Sequence, residues 1–107
     1  MRPHCDRAQA AILRALAAIA LPYGARVVIE ELRARDWASL TLAGARHELE
    51  VRLDGPGATA ALAAVAATLP HEDISISGQL LAELLVEPGT ADANGVALTL
   101  SALVIND

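Results

Sequence analysis

The strongest constraint in this sequence is a change in the spacing of its apolar residues, which occurs twice along the chain. From about residue 6 to residue 20 apolar side chains recur every three or four positions, and from Ala25 they alternate with polar ones. The first period is that of an amphipathic helix and the second is that of a half-buried strand. An alanine-rich segment and a second alternating region follow, so the chain must combine helices with a sheet.

The first helix is predicted to run from Asp6 to about Ala20. Asp6 and Gln9 have the spacing of a capping box, in which each side chain accepts a hydrogen bond from a backbone N–H at the helix start. The apolar stripe of this helix consists of Ile12, Leu13, Leu16, Ile19 and Ala20. Pro22 and Gly24 end the helix, because proline lacks a backbone donor and glycine favours the conformation that follows a helix.

Three strands are predicted between the helices. The first, Arg26–Leu32, has a bulge at Glu30 and Glu31 that returns Leu32 to the core side. The second and third lie within Ala38–Leu53 and are joined by a two-residue turn at Gly44 and Ala45, since glycine suits the first central position of a type II′ turn.

This predicted hairpin fixes the surroundings of two unusual side chains. It pairs His47 with Leu42 on the apolar face of the sheet, and it pairs Trp37 with Arg52 on the polar face. A tryptophan beside an arginine suits a cation–π contact, and an exposed tryptophan equally suits a protein interface.

A second helix is predicted after the turn at 54–57, with Leu62, Val65 and Leu69 as its apolar stripe and Pro70 at its end. Residues 74–86 and 96–104 then alternate as strands. The segment Gln79–Glu87 also fits a helix, because its leucines would share one helical face. A strand is preferred, since the final strand needs a partner and Asn94 with Gly95 suits the end of a hairpin loop.

The elements together predict one small α+β domain that spans residues 1–107. The expected architecture is a two-layer sandwich in the order helix-strand-strand-strand-helix-strand-strand. Its five-stranded sheet is mostly antiparallel and carries both helices on one face.

Charge and composition limit the partners. The net charge is −5, and the chain has one Trp, one Tyr and no Phe. An acidic surface repels phosphates and few rings are available to stack on bases, so neither nucleic acid nor an anionic membrane is expected as a partner. The single cysteine, Cys5, favours a reducing compartment, and a cytoplasmic location is expected.

No catalytic set, cofactor or metal site is predicted. His4 and Cys5 precede Asp6 directly, but consecutive ligands do not converge on one metal ion and no second cysteine exists. His47 with Glu31 would form an acid–base pair if Glu31 faced inward. The simpler interpretation places His47 at the solvent-facing end of the hairpin.

The C-terminal strands contain more large aliphatic residues than one core can use. If Leu80 and Leu84 point to the helices, the opposite face carries Leu81, Leu85, Leu103 and Ile105. Monomers rarely expose such a patch, so a non-enzymatic interaction module that forms homodimers, or binds another protein, is the first functional hypothesis. The alternative is a small-ligand-binding domain or minor enzyme, with an apolar pocket between the second helix and the sheet and with His47 and Glu31 as the polar groups that bind the ligand.

Overall fold

The computed structural model describes residues 6–107, so His4 and Cys5 lie outside the described residues. Two helices and four strands make up the fold. They are α1 (Arg7–Ala20), β1 (Arg26–Ala38), β2 (Ala43–Asp54), α2 (Ala58–Thr68), β3 (Gln79–Ala91) and β4 (Gly95–Asn106). Short 3-10 turns follow each helix, at Leu21–Tyr23 and Leu69–His71.

The strands form one antiparallel sheet in the order β1-β2-β4-β3. The prediction of five strands is therefore wrong, although the α+β class is right. β1 continues past the predicted first strand to Ala38, and the residues predicted as the second strand form mainly the turn, which lies at 39–42 instead of at Gly44 and Ala45. In that turn the Ser39 N–H donates to the Leu42 carbonyl at 2.8 Å, and the Leu42 N–H donates to Ser39 Oγ at 3.2 Å.

Gly44 lies inside β2 for a different reason from the one predicted. A Cβ at this position would collide with the carbonyl oxygen of Val104 on β4. The residue is glycine because two backbones approach closely there, not because the chain turns.

The predicted start of α1 is confirmed. Asp6 Oδ1 accepts a hydrogen bond from the Gln9 N–H at 2.8 Å, and Gln9 Oε1 accepts one from the Asp6 N–H at 3.3 Å. The buried Gln9 amide also donates to the Arg33 carbonyl at 3.2 Å, which ties α1 to β1. One side chain thus fixes both the helix start and its position on the sheet.

Both edge strands contain bulges. The predicted bulge in β1 is confirmed, since the register shifts between Ile29 and Glu31 and returns Leu32 to the core side. A bulge that the sequence did not predict lies in β3, between Leu81 and Glu83. The preference for a strand over a helix at residues 79–87 is also confirmed.

The core lies between the helices and one face of the sheet. Its largest fully buried side chains come from α1, from the end of α2 and from the two central strands: Ile12, Leu16, Leu49, Val51, Leu53, Val65, Leu69, Leu98, Leu100 and Val104. Alanines at 58 and 61 are buried in α2, so this helix lies close to the sheet. Small side chains allow a helix to pack closely on a sheet. They are therefore not evidence for the predicted pocket between α2 and the sheet.

The fold consists of two successive helix-strand-strand units. Elements of the first begin at residues 7, 26 and 43, and those of the second begin at 58, 79 and 95. Each unit contributes one central strand and one edge strand, so the sheet order is symmetric about the β2–β4 pair.

We expect Leu100→Ala to lower the free energy of unfolding by about 2–5 kcal/mol, because it leaves a cavity at the centre of this core. Leu100 is fully buried and pairs with Leu49 and Val86. Urea denaturation followed by circular dichroism measures the change. The matched control is Leu21→Ala, which removes a side chain that is 75% exposed and should cost within ~0.5 kcal/mol. Equal losses in the two variants would contradict this assignment of the core.

Candidate interaction surface

The helices cover one face of the sheet, and the other face, called here the open face, has no layer over it in the described part of the chain. Alternate residues of β2 and β4 are buried under the helices, while those between them are half-buried or exposed. The strands are about 40 Å long, at ~3.3 Å per residue, whereas α1 extends over about 21 Å. Because no layer covers the open face in the described residues, its side chains are available to a partner over the length of the strands.

The register aligns the open-face residues in rows that cross all four strands, and two rows define the end of the sheet nearest the turn at 39–42. The tip row consists, from β1 to β3, of Trp37, Gly44, Ile105 and Leu80. The arginine row consists, in the same order, of Arg35, Arg46, Leu103 and Glu83.

An apolar patch occupies this end of the open face. It is defined by Trp37, Leu80, Leu85, Leu103 and Ile105. Leu80 is 62% exposed and Leu85 is 53% exposed, and the other three are partly exposed. None of the five packs against the core of the described chain. The free face of an antiparallel sheet is normally polar, so this patch departs from the usual pattern.

The structure places three of the four predicted patch leucines and isoleucines on the open face, and Leu81 is the exception. The bulge between Leu81 and Glu83 turns Leu81 towards the helices, where it packs against the core, and Leu80 occupies the open face instead. Trp37 lies opposite Gly44 rather than Arg52, so the predicted cation–π pairing is also wrong. A role of these residues in an interface stays a prediction.

Carboxylates crowd the part of the open face next to the patch. Arg33 contacts Glu48 at 2.8 Å, Glu50 at 3.7 Å and Glu31 at 4.0 Å. A side-chain hydrogen bond with Glu31 raises the pKa of Glu50 above its usual value, with a further increase from desolvation, and Arg33 opposes both. One guanidinium therefore only partly compensates three carboxylates.

The arginine row, in contrast, carries an excess of positive charge. Arg35 and Arg46 lie directly across from each other in the β1–β2 pair, an arrangement that is unfavourable for like charges. Arg46 reaches Glu83 at 3.8 Å, but no carboxylate of residues 6–107 forms an ion pair with Arg35. An open groove of about 730 Å³ adjoins these arginines, and its lining includes Arg33, Arg35, Arg46, Glu48 and Ser101 of the open face together with Leu32, Ala34, His47 and Ala102 of the helix side. This region would accommodate a negatively charged group.

The predicted His47–Glu31 pair does not form, because the two residues lie on opposite faces of the sheet. His47 lies opposite Ala34 and Ala102 on the helix side and is 3% exposed, so its prediction as a solvent-facing residue is wrong. Within residues 6–107 its Nδ1 atom makes no hydrogen bond, and the nearest carboxylate oxygen is that of Asp6 at 3.8 Å. Glu31 is exposed beside Arg33. The arrangement provides no acid–base pair from these two side chains.

The sequence alone did not identify Gly44, Leu80, Arg35, Arg46 or Glu83 as members of this surface. These residues share the surface because of the strand register. The sequence does not indicate this register, because the turn at 39–42 contains neither glycine nor proline and no residue marks the bulge in β3.

The described residues contain no group of three or more His, Cys, Asp or Glu side chains arranged to hold a metal ion. Within them, no helix has the length and apolar character needed to cross a membrane. No protein-family model matches the chain, and no curated protein or solved structure shows a significant match to it. Its function must therefore be inferred from the surface itself.

We expect Glu50→Gln to raise the melting temperature at neutral pH. The raised pKa means that the folded protein binds this proton more tightly than the unfolded chain. The resulting stabilisation is present below the unfolded pKa and is lost as the pH rises through the folded pKa. The advantage of the glutamine variant should therefore shrink as the pH falls toward 4.5, the usual pKa of the group.

Thermal melts over this pH range test the expectation. Glu87→Gln is the matched control, because Glu87 is an exposed open-face carboxylate without an ion pair in the described chain. A Glu50→Gln advantage that grows as the pH is lowered would contradict the stated cause of the shift.

Proposed function

We propose that the chain is an interaction and assembly module that pairs with a second copy of itself through the open face. The observation that carries this proposal is the apolar patch, in which Leu80 and Leu85 expose more than half of their surface beside three further large side chains. Removal of this surface from water would provide the driving force, at ~25 cal/mol per Å² of apolar area.

The size of the open face supports a specific dimer. Four strands of about 40 Å, spaced ~4.8 Å apart, present roughly 760 Å² in projection. A standard protein interface buries ~800 Å² on each partner. The open face is thus large enough for a contact of this size or smaller between two copies, and twofold contacts of this kind form closed pairs.

The edges of the sheet are less suited to self-association. β1 has its bulge at Glu30, and β3 has one at Ala82 as well as Pro88, which lacks a backbone donor. Bulges and proline on edge strands prevent another strand from extending the sheet. The open face is consequently the better candidate for contact between copies.

The alternative function, a small-ligand-binding domain, has less support. Its two proposed polar groups, His47 and Glu31, lie on opposite faces of the sheet and therefore do not line one pocket beneath α2. A cytoplasmic location remains part of the proposal, supported by the single cysteine of the chain.

We expect the wild-type chain to sediment as a dimer at concentrations of tens of micromolar, and Leu85→Arg to sediment as a monomer. The arginine would place two extra charges in the dimer interface while leaving the core intact, because Leu85 is on the open face. We expect the dissociation constant to rise by about tenfold or more. Analytical ultracentrifugation measures it, and circular dichroism establishes that the variant is folded.

Leu21→Arg provides the matched control. Leu21 is more exposed than Leu85 but belongs to the 3-10 turn after α1, away from the open face. This variant should remain dimeric. A monomeric wild-type protein under these conditions, or a dimer that tolerates Leu85→Arg, would refute the proposal.

A further inference from the structure

We infer that the two copies pack with their twofold axis parallel to the strands, so that Arg35 of each copy forms an ion pair with Glu83 of the other. This inference rests on the proposed self-association and specifies its geometry. The order of side chains along the tip row and the arginine row supports this geometry.

Two stacked copies of one sheet are related by a twofold axis that lies between them. If the axis is parallel to the strands, β1 faces β3 of the second copy and β2 faces β4. Each row then faces the same row in reverse order. Packed sheets are rotated by ~30°, so facing residues are neighbours rather than in perfect register.

In this arrangement the tip row is complementary to itself. Trp37 faces Leu80 of the second copy, and Gly44 faces Ile105. Gly44 adds no side chain to the row, so it offers no steric obstacle to Ile105 of the second copy. Both contacts occur twice because of the symmetry, and both join apolar groups.

The arginine row is complementary in charge. Arg35 has no ion-pair partner within residues 6–107 and lies opposite Arg46. In the stacked pair it faces Glu83 of the second copy, and Glu83 already contacts Arg46 of its own chain at 3.8 Å. Each Glu83 would then lie between two arginines, Arg46 of its own chain and Arg35 of the second copy. This arrangement would reduce the repulsion between Arg35 and Arg46.

An arrangement with the axis perpendicular to the strands and centred on the arginine row lacks this complementarity. Every residue of that row then faces its own counterpart. Arg35 would meet Arg35 and Glu83 would meet Glu83, and like charges placed across an interface are strongly unfavourable. The distribution of charge therefore favours the axis parallel to the strands over this arrangement.

A charge exchange between two separate chains tests this geometry. Arg35→Glu alone brings two carboxylates together at both symmetric contacts, and Glu83→Arg alone brings two guanidinium groups together there. We expect each variant alone to dimerise about tenfold or more weakly than wild type. Mixed together they should form the heterodimer more readily than either homodimer. In the heterodimer one contact joins two introduced charges of opposite sign, and the other joins the original Arg35 and Glu83.

Sedimentation equilibrium gives the dissociation constants, and native mass spectrometry distinguishes the heterodimer from the two homodimers by mass. The heterodimer contains one chain of each variant, so effects on intramolecular pairing with Arg46 equal the mean of the two homodimers and cancel when the heterodimer is compared with both of them. The exposed Arg14 on α1 provides a control. Arg14→Glu should dimerise like wild type and should not prefer either variant.

The outcomes separate this inference from the proposed function. Selective heterodimer formation supports the parallel axis. If wild type dimerises and Leu85→Arg dissociates, but the mixture shows no preference for the heterodimer, the axis is wrong and self-association stands. A monomeric wild-type protein would refute both the proposed self-association and the parallel axis.

Discussion

The contact on which the rest of the structure depends is the antiparallel pairing of β2 with β4. Leu49, Val51, Leu98 and Leu100 lie on the helix side of this pair and are almost fully buried. Each strand belongs to a different helix-strand-strand unit, so the pairing joins the two halves and produces the surface on which both helices pack. Because alternate residues of the same strands face the other way, this pairing also determines which side chains occupy the open face.

Features with a local physical cause were predictable from the sequence. The capping box at Asp6 requires only residues three positions apart, and the bulge in β1 follows from two consecutive glutamates between apolar positions. The strand at residues 79–87 was identified because the final strand needed a partner, although its leucines also fit a helix. In each case short-range pattern and long-range packing agree.

The five-stranded sheet was predicted because the turn between β1 and β2 resembles a strand. Leu40 and Leu42 alternate with polar residues, yet Leu40 is fully exposed and the turn is closed by Ser39. Gly44 was interpreted as a turn glycine, whereas it is required by the close approach of β4. The sequence does not distinguish a glycine required by a turn from one required by a close approach between strands. The position of the neighbouring strand is needed to tell these two roles apart. The orientation of Leu81 was missed for a similar reason, since nothing in the sequence marks the bulge beside it.

The uneven charge of the open face restricts the proposed pair to one end of the sheet. With the axis parallel to the strands, Glu31 faces Glu87 of the second copy, at the end where Glu50 already has a raised pKa because of its hydrogen bond with Glu31. In the proposed pair, repulsion there would keep that end hydrated, while the apolar patch and the arginine row would form the contact. An interface limited in this way buries less than the full open face, which favours a reversible pair over a permanent one. Because a twofold contact uses the same surface on both copies, the proposed association would stop at two copies.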